Sequence, residues 1–294
     1  MNILEVRNLN KTYKDFQLKD VNLTIPKGYI MGFVGQNGAG KTSTINLINH
    51  ICKCDSGSIK IDGISYADDP VRYKESIAYV GDECYFTKGL KVKNVKQTLK
   101  EFYPTFDSEK FDILIEKYNL PINKNIINFS RGMKVKLMFA TVFSRDAKLL
   151  ILDEATNGLD PVVREELMGE LQKYIENGER SILFSTHMLS DLEEIADYIT
   201  FIDNGRIILQ KPKDEMLEEY MIIKGDYGNL TEQQKKYLIG VENKNYGFEA
   251  LIKAIMHRIL TVSLFLKSQM CHRLCYIQLK KGECNNGKDI IYEI

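Results

Sequence analysis

Three short runs of apolar residues, Ile30–Val34, KLLILDE at 148–154 and Ser181–Ser185, stand out from a chain that elsewhere mixes apolar and polar positions. Their continuity and length predict strands buried on both faces of a parallel sheet. Lys41 to His50, just after the first run, reads as a helix. Residues 3 to 34 read as short strands divided by the turns NLNKTYKD and IPKG, a pattern of small antiparallel pairings. Glu101 to Leu120 and Ser130 to Ser144 carry Phe, Leu, Ile and Met at helical spacing. They predict a helical subdomain over about residues 85–145 whose apolar stripe is mainly core. After Pro212 the pattern changes, and DEMLEEYMIIKGDYGNLTEQQKKYLIGVENKNYGFEALI predicts a small α+β appendage. HRILTVSLFLKSQMCHRLCYIQ, within an anomalous tail at 257–284, fits neither helical nor strand periodicity.

Chemistry enters at the end of the first apolar run. Gly35 to Thr42 reads GQNGAGKT, the pattern G-x-x-x-x-G-K-[ST] that wraps nucleotide phosphates. A strand before it and a helix after it are the context this pattern requires. Gly35, Gly38 and Gly40 permit backbone angles closed to other residues, so the N–H groups of the loop, through Asn37 and Ala39 to Ser43, can turn onto phosphate oxygens. The following helix aims its positive end at the same place. Lys41 is expected to reach the β- and γ-phosphates and the Thr42 hydroxyl to ligate Mg²⁺. A plain glycine turn before a helix would explain neither residue.

The second run ends in two acids at a strand end, where ligands of α/β sheets gather. Asp153 is expected to hold Mg²⁺ through its water shell, and Glu154 to act as the base facing the attacking water. A divalent cation beside Asp153 would relieve the repulsion between the adjacent carboxylates. The alternative is that both acids merely cap a strand in solvent. The third run delivers Ser185, Thr186 and His187 to the same sheet edge. A lone histidine is more often structural, but this position brings His187 within reach of a γ-phosphate.

Composition narrows the picture. The 294 residues are 44% hydrophobic and 27% charged, enough for a sizeable core. Forty basic residues balance forty acidic ones, so no overall field favours nucleic acid. No apolar stretch approaches the ~18 residues that cross a bilayer, and MNILEVRNLN lacks the regions of a signal peptide, which predicts a cytoplasmic protein. Six cysteines, unevenly placed, read as reduced thiols rather than a disulfide framework, with Cys52 and Cys54 as ordinary loop residues. Cys271, His272 and Cys275 lack the second pair that a zinc site needs.

With these residues in view, the chain resembles the nucleotide-binding subunits of ATP-binding cassette (ABC) transporters over about residues 2–215. FSRGMKVKL at 129–137 is similar to the family's LSGGQ signature and its helix; Ser130 and Gly132 match, while Arg131 replaces the first glycine and Met133 the glutamine. ATNGLDP at 155–161 resembles the D-loop, with Asp160 at its acidic position. Tyr13 falls where the family stacks an aromatic ring on adenine, and His187 on the switch histidine. In IAYVGDE, Asp82 stands where the family has the lid-loop glutamine that couples the metal site to the membrane partner.

The resemblance implies a P-loop NTPase of α/β class, with a RecA-like core, an antiparallel β subdomain and a helical subdomain, followed by the accessory region 216–294. It implies ATP and Mg²⁺ as ligands, with Glu154, His187 and Lys41 catalytic. Two subunits, identical or closely paralogous, would close head to tail, Ser130 and Gly132 of one facing the ATP on the other's phosphate loop. A separately encoded polytopic permease would dock near Tyr85, Phe86, Phe102 and Tyr103, holding the chain on the inner face of the cell membrane, although each of these aromatics taken singly reads better as core. The RGMK-type signature and the appendage resemble a bacterial exporter or self-protection branch. Related subunits carry an acidic segment before a final helix; its lack here suggests a frame-shifted or degenerate tail, a reading that resequencing to an intact frame with an ordered tail would overturn. A soluble ABC ATPase acting on nucleic acid or the ribosome is the second reading, disfavoured by the single cassette and the short stretch between Thr42 and Ser130. A sensor that barely hydrolyses is disfavoured by Glu154.

Overall fold

The computed structural model describes residues 1–253 apart from Lys88, His187, Met188, Asn245 and Tyr246. The anomalous tail, with Cys271, His272 and Cys275, lies outside the described residues, as does His187. From the N terminus, β1 (Asn2–Thr12), β2 (Gln17–Pro26) and β3 (Ile30–Val34) lead to α1 (Lys41–Ile48). Then come β4 (Ser56–Ile61), β5 (Ile64–Ser65), α2 (Pro70–Glu75) and β6 (Ile77–Gly81). A helical segment, α3 (Val92–Phe102), α4 (Ser108–Lys117) and α5 (Arg131–Phe143), precedes β7 (Leu149–Asp153), α6 (Pro161–Ile175) and β8 (Ser181–Ser185). The chain continues through α7 (Leu189–Ile195), β9 (Tyr198–Asp203), β10 (Arg206–Pro212), α8 (Lys213–Glu219), β11 (Tyr220–Gly225), α9 (Glu232–Lys235), β12 (Ile239–Lys244) and β13 (Gly247–Lys253).

The three apolar runs become β3, β7 and β8, the middle of a six-stranded sheet of order β10-β9-β3-β8-β7-β6. All neighbours are parallel except β10, which pairs antiparallel with β9. Every residue of β3, β7 and β8 is buried, because both faces of the sheet are covered. Alternation along β7 sorts its side chains between two cores. Leu149 and Ile151 pack with α1 and the antiparallel sheet β2-β1-β4-β5, whereas Leu150 and Leu152 pack with the helical segment and α6. A third sheet, β11-β13-β12, follows β10 and has a small core of its own around Ile223, Phe248, Ala250 and Ile252.

The helical segment differs from the expected single stretch at 101–120. Pro104 disfavours helical backbone at the residue before it, so Tyr103 turns extended (φ −123°, ψ 104°) and ends α3. Asp107 then opens α4 by accepting from the Glu109 and Lys110 N–H groups at 3.0 and 2.9 Å. The buried face of α3, formed by Val92, Val95 and Leu99, belongs to a helix that sequence periodicity had not marked.

Leu152 is wholly buried at the centre of the sheet, between β6 and β8. Leu152→Ala is expected to lower the free energy of unfolding by about 2–5 kcal/mol, read from urea denaturation.

Candidate functional site

One row of the six-stranded sheet places the site. Gly81 of β6 pairs with Asp153 of β7, Asp153 with Ser185 of β8, and Ser185 with Phe33 of β3. The parallel strands therefore end together, and the residues just beyond them, Asp82, Glu154, Thr186 and Gly35, emerge at a common edge.

The loop from Gly35 to Gly40 is shaped by close backbone approach. A Cβ at Gly35 would lie 2.5 Å from the Ile202 carbonyl oxygen, so no side chain fits there. Gly40 has φ +114° and precedes the first residue of α1. Lys41 is 5% exposed, and its Nζ donates to the Gly35 and Gln36 carbonyls at 2.7 and 3.2 Å and stands 3.8 Å from Glu154 Oε1. Burial lowers the Lys41 pKa, against the raising influence of Glu154 and Asp153. To reach a phosphate, the ammonium exchanges two carbonyl oxygens for charged ones.

Thr42 Oγ1 donates to Asp153 Oδ2 at 3.0 Å, joining the two expected metal-binding residues across 111 positions of sequence. Asp153 Oδ1 is buried without a hydrogen-bond partner among the described residues, and burial raises the Asp153 pKa. A buried carboxylate with an unused oxygen beside a hydroxyl fits a hard divalent cation such as Mg²⁺. Among the described residues no group of three His, Cys, Asp or Glu side chains gathers as a metal cage, so such a cation would share its coordination with phosphate and water. Thr42, Asp153, Glu154 and Asp82 together line a cleft of about 400 Å³.

Glu154 has left-handed backbone (φ 55°), uncommon for a residue with a side chain. Its N–H continues the sheet by donating to the Ser185 carbonyl at 2.9 Å, and Asn157 Nδ2 donates to its Oε2 at 2.7 Å. These bonds hold the carboxylate at the border of the phosphate-loop cleft, a neighbouring cavity of about 510 Å³ lined by Tyr13, Asn37, Gly38, Gly40, Lys41, Thr42, Ser43 and Glu154. Asp15, Phe16 and Gln36 also line it; the sequence reading missed all three, although Phe16 ends the same turn as Tyr13. The Tyr13 and Phe16 rings lie 6.3 Å apart, and burial, with the Cys52 thiol beside the hydroxyl, pushes the Tyr13 pKa up to about 12. Ala39 is buried beneath the loop.

Neither cleft is lined by Ser130, Gly132 or Asp160. Ser130 caps α5, its hydroxyl accepting from the Met133 N–H at 3.2 Å, and Gly132 sits in the first turn of that helix. Asp160 caps α6 by accepting from the Val163 N–H at 3.1 Å. The chain thus gathers Lys41, Thr42, Asp82, Asp153 and Glu154, and leaves Ser130, Gly132 and Asp160 outside both clefts.

Comparison with known proteins identifies the family. The family profile described as ABC transporter matches residues 18–157. The ABC transporter ATP-binding protein YtrB of Bacillus subtilis is 34% identical over 75% of this chain and 76% of its own length. The lantibiotic transport ATP-binding protein SrtF of Streptococcus pyogenes is 35% identical over 74% of this chain and 95% of its own. The structure of cbiO1 from Clostridium perfringens, part of the ABC transporter complex cbiONQ, superposes with a TM-score of 0.63 at 27% identity, over 74% of this chain and 91% of that one. A phosphate loop and paired acids at one sheet edge, on a fold and sequence shared with these proteins, show that the chain belongs to the ATP-binding subunits of ABC transporters, a family of ATP hydrolases.

Proposed function

We propose that the chain binds Mg-ATP between the phosphate loop and the Asp153–Glu154 strand end, and hydrolyses it in a head-to-tail pair that drives a membrane permease. The observation carrying this reading is the Thr42–Asp153 hydrogen bond with Lys41 and Glu154 on either side of it. The loop N–H groups and the N-terminus of α1 bind the phosphates, and Lys41 neutralises the β- and γ-oxygens. Thr42 and Asp153 would hold the cation, with Asp82 in the same cleft, and Mg²⁺ would supply charge stabilisation at the phosphates. Glu154 accepts the proton of the attacking water, its position set by Asn157 and the turn after β7. Tyr13 stacks on the adenine. His187, by resemblance, completes the γ-phosphate contacts.

The in-chain placement of Ser130 and Gly132 supports pairing. Neither lines its own chain's clefts, and both stand at a helix N-terminus suited to an anion. Presented by a second copy or a close paralogue, with Asp160 nearby, they add donors to the γ-phosphate only on closure. ATP holds the pair shut and hydrolysis opens it.

A cleft of about 280 Å³ on the helical side supports permease docking. It is lined by Tyr85, Phe86, Tyr103, Lys74, Asn49 and Arg145, and the Arg145 guanidinium lies 3.6 Å over the Tyr103 ring. Asn49 Nδ2 and Arg145 Nε are buried donors without partners among the described residues, which suits a docking segment bearing acceptor oxygens. Phe102 is instead exposed outside this cleft. No helix among the described residues is long and apolar enough to cross a membrane, so in this reading the permease is a separate chain and the subunit sits on the inner face of the membrane. Residues 1–215 form the cassette and 216–294 an accessory region. The RGMK-type signature and the relative named for lantibiotic transport favour an exporter or self-protection system.

Lys41→Ala is expected to abolish nucleotide binding in a fluorescent-ATP titration. Glu154→Gln should retain binding, slow phosphate release by about 10²- to 10⁴-fold and accumulate an ATP-bound dimer on light scattering; normal turnover would place the base elsewhere. Ser130→Ala, added to Glu154→Gln, should weaken that dimer by about tenfold or more, since it removes a charge-assisted hydrogen bond from each site. Thermal unfolding would measure separately the cap lost from α5, about 1 kcal/mol, and an undiminished dimer would exclude head-to-tail closure through the signature.

A further inference from the structure

Two of the positions at which the motifs depart from the family pattern, Asp82 and Arg131, face each other. The Arg131 guanidinium forms an ion pair with the Asp82 carboxylate, joining the loop after β6 to the first residue of α5. The same guanidinium lies over the turn at Gly158, where an added Cβ would come 3.4 Å from Arg131 Nε. One side chain at the head of the signature helix is therefore paired with the lid loop and stands near the loop after β7.

Elementary electrostatics accounts for the pair. Arg131 puts a cation at the positive end of α5, and the first turn of that helix contains no acid. Such a placement is unfavourable unless an anion lies beside it, and Asp82 is that anion. Asp82 also lines the cleft shared by Thr42, Asp153 and Glu154, so two cations would compete for its carboxylate: the guanidinium that holds it and the proposed divalent cation of the cleft. The pair is 47% exposed at Arg131 and 51% at Asp82, and an ion pair so open to water is weak enough to exchange. A divalent cation in the more buried cleft attracts the carboxylate more strongly than a solvated guanidinium does.

We infer that Arg131 is a positioning residue that holds Asp82 on the signature helix when Mg-ATP is absent and yields it to the metal's water shell when Mg-ATP binds. This rests on the reading of the Thr42–Asp153 cleft as the metal site. No covalent step is involved; one ionic partner replaces another. The released guanidinium then stands beside Ser130, on the surface that the proposed pair turns toward the second nucleotide. Metal loading at one site is thereby reported to the signature that completes the other.

The test is a Mg²⁺ titration of a fluorescent ATP analogue bound to four full-length chains: wild type, Arg131→Ala, Asp82→Asn and the double variant. Both substitutions are at exposed positions and should leave the fold intact, checked by thermal unfolding. Arg131→Ala is expected to lower the half-saturating Mg²⁺ concentration by about two- to fivefold, the range for an exposed ion pair. In the Asp82→Asn background the same change should have no effect. An equal shift in both backgrounds would mean that Arg131 acts only as a distant positive charge, and no shift in either would mean that the pair does not restrain Asp82; each overturns the exchange. Nucleotide binding that responds to Mg²⁺ in wild type with either of those results would leave the metal-site reading standing. Wild-type binding indifferent to Mg²⁺ would overturn that reading and this inference together.

Discussion

Parallel pairing of β7 between β6 and β8 is the constraint on which the site depends. The row Gly81–Asp153–Ser185–Phe33 brings four strand ends to one edge, and a slip of one residue in any pairing would turn an acid away from the phosphate loop. That register is held by burial on both faces. Alternate residues of β7 fill two different cores, so a shifted strand would break contacts with α1 and with the helical segment at once.

The same burial makes the site electrostatically uncomfortable. Lys41 and Asp153 are almost entirely withdrawn from water, and burial pushes their pKa values in the directions that oppose ionisation, down for the lysine and up for the aspartate. Glu154 adds a left-handed backbone and a second carboxylate next to the first. A site built only for stability would avoid these features; in the proposed reading a phosphate-bound cation would make use of each. The surrounding aliphatic core supplies the stability that tolerates them.

The signature surface follows a different logic. Ser130, Gly132 and Asp160 lie at the N-termini of α5 and α6, with Ser130 and Asp160 exposed and their caps intact, and they impose little cost on the isolated chain. In the proposed pairing their chemistry would come into use only when a second chain approaches, which would separate the energetics of folding from those of pairing. Arg131 links the two regimes, because it starts the signature helix and ends on a residue of the nucleotide cleft.

Much of this was legible in sequence. The continuous apolar runs marked β3, β7 and β8 because a strand buried on both faces needs no polar alternation, and GQNGAGKT and the Asp153–Glu154 pair, picked out by residue type and spacing, do come together at one sheet edge. The break between α3 and α4 was written in Pro104 but hidden by apolar spacing on both sides of it. The sequence by itself determined which elements form and which chemistry they carry, since periodicity, turn residues and motif spacing are local properties. Only the tertiary structure decided which distant residues meet: Thr42 with Asp153, and Asp82 with Arg131. Strand order and register set those distances through packing over the whole sheet, and no local stretch of sequence encodes them.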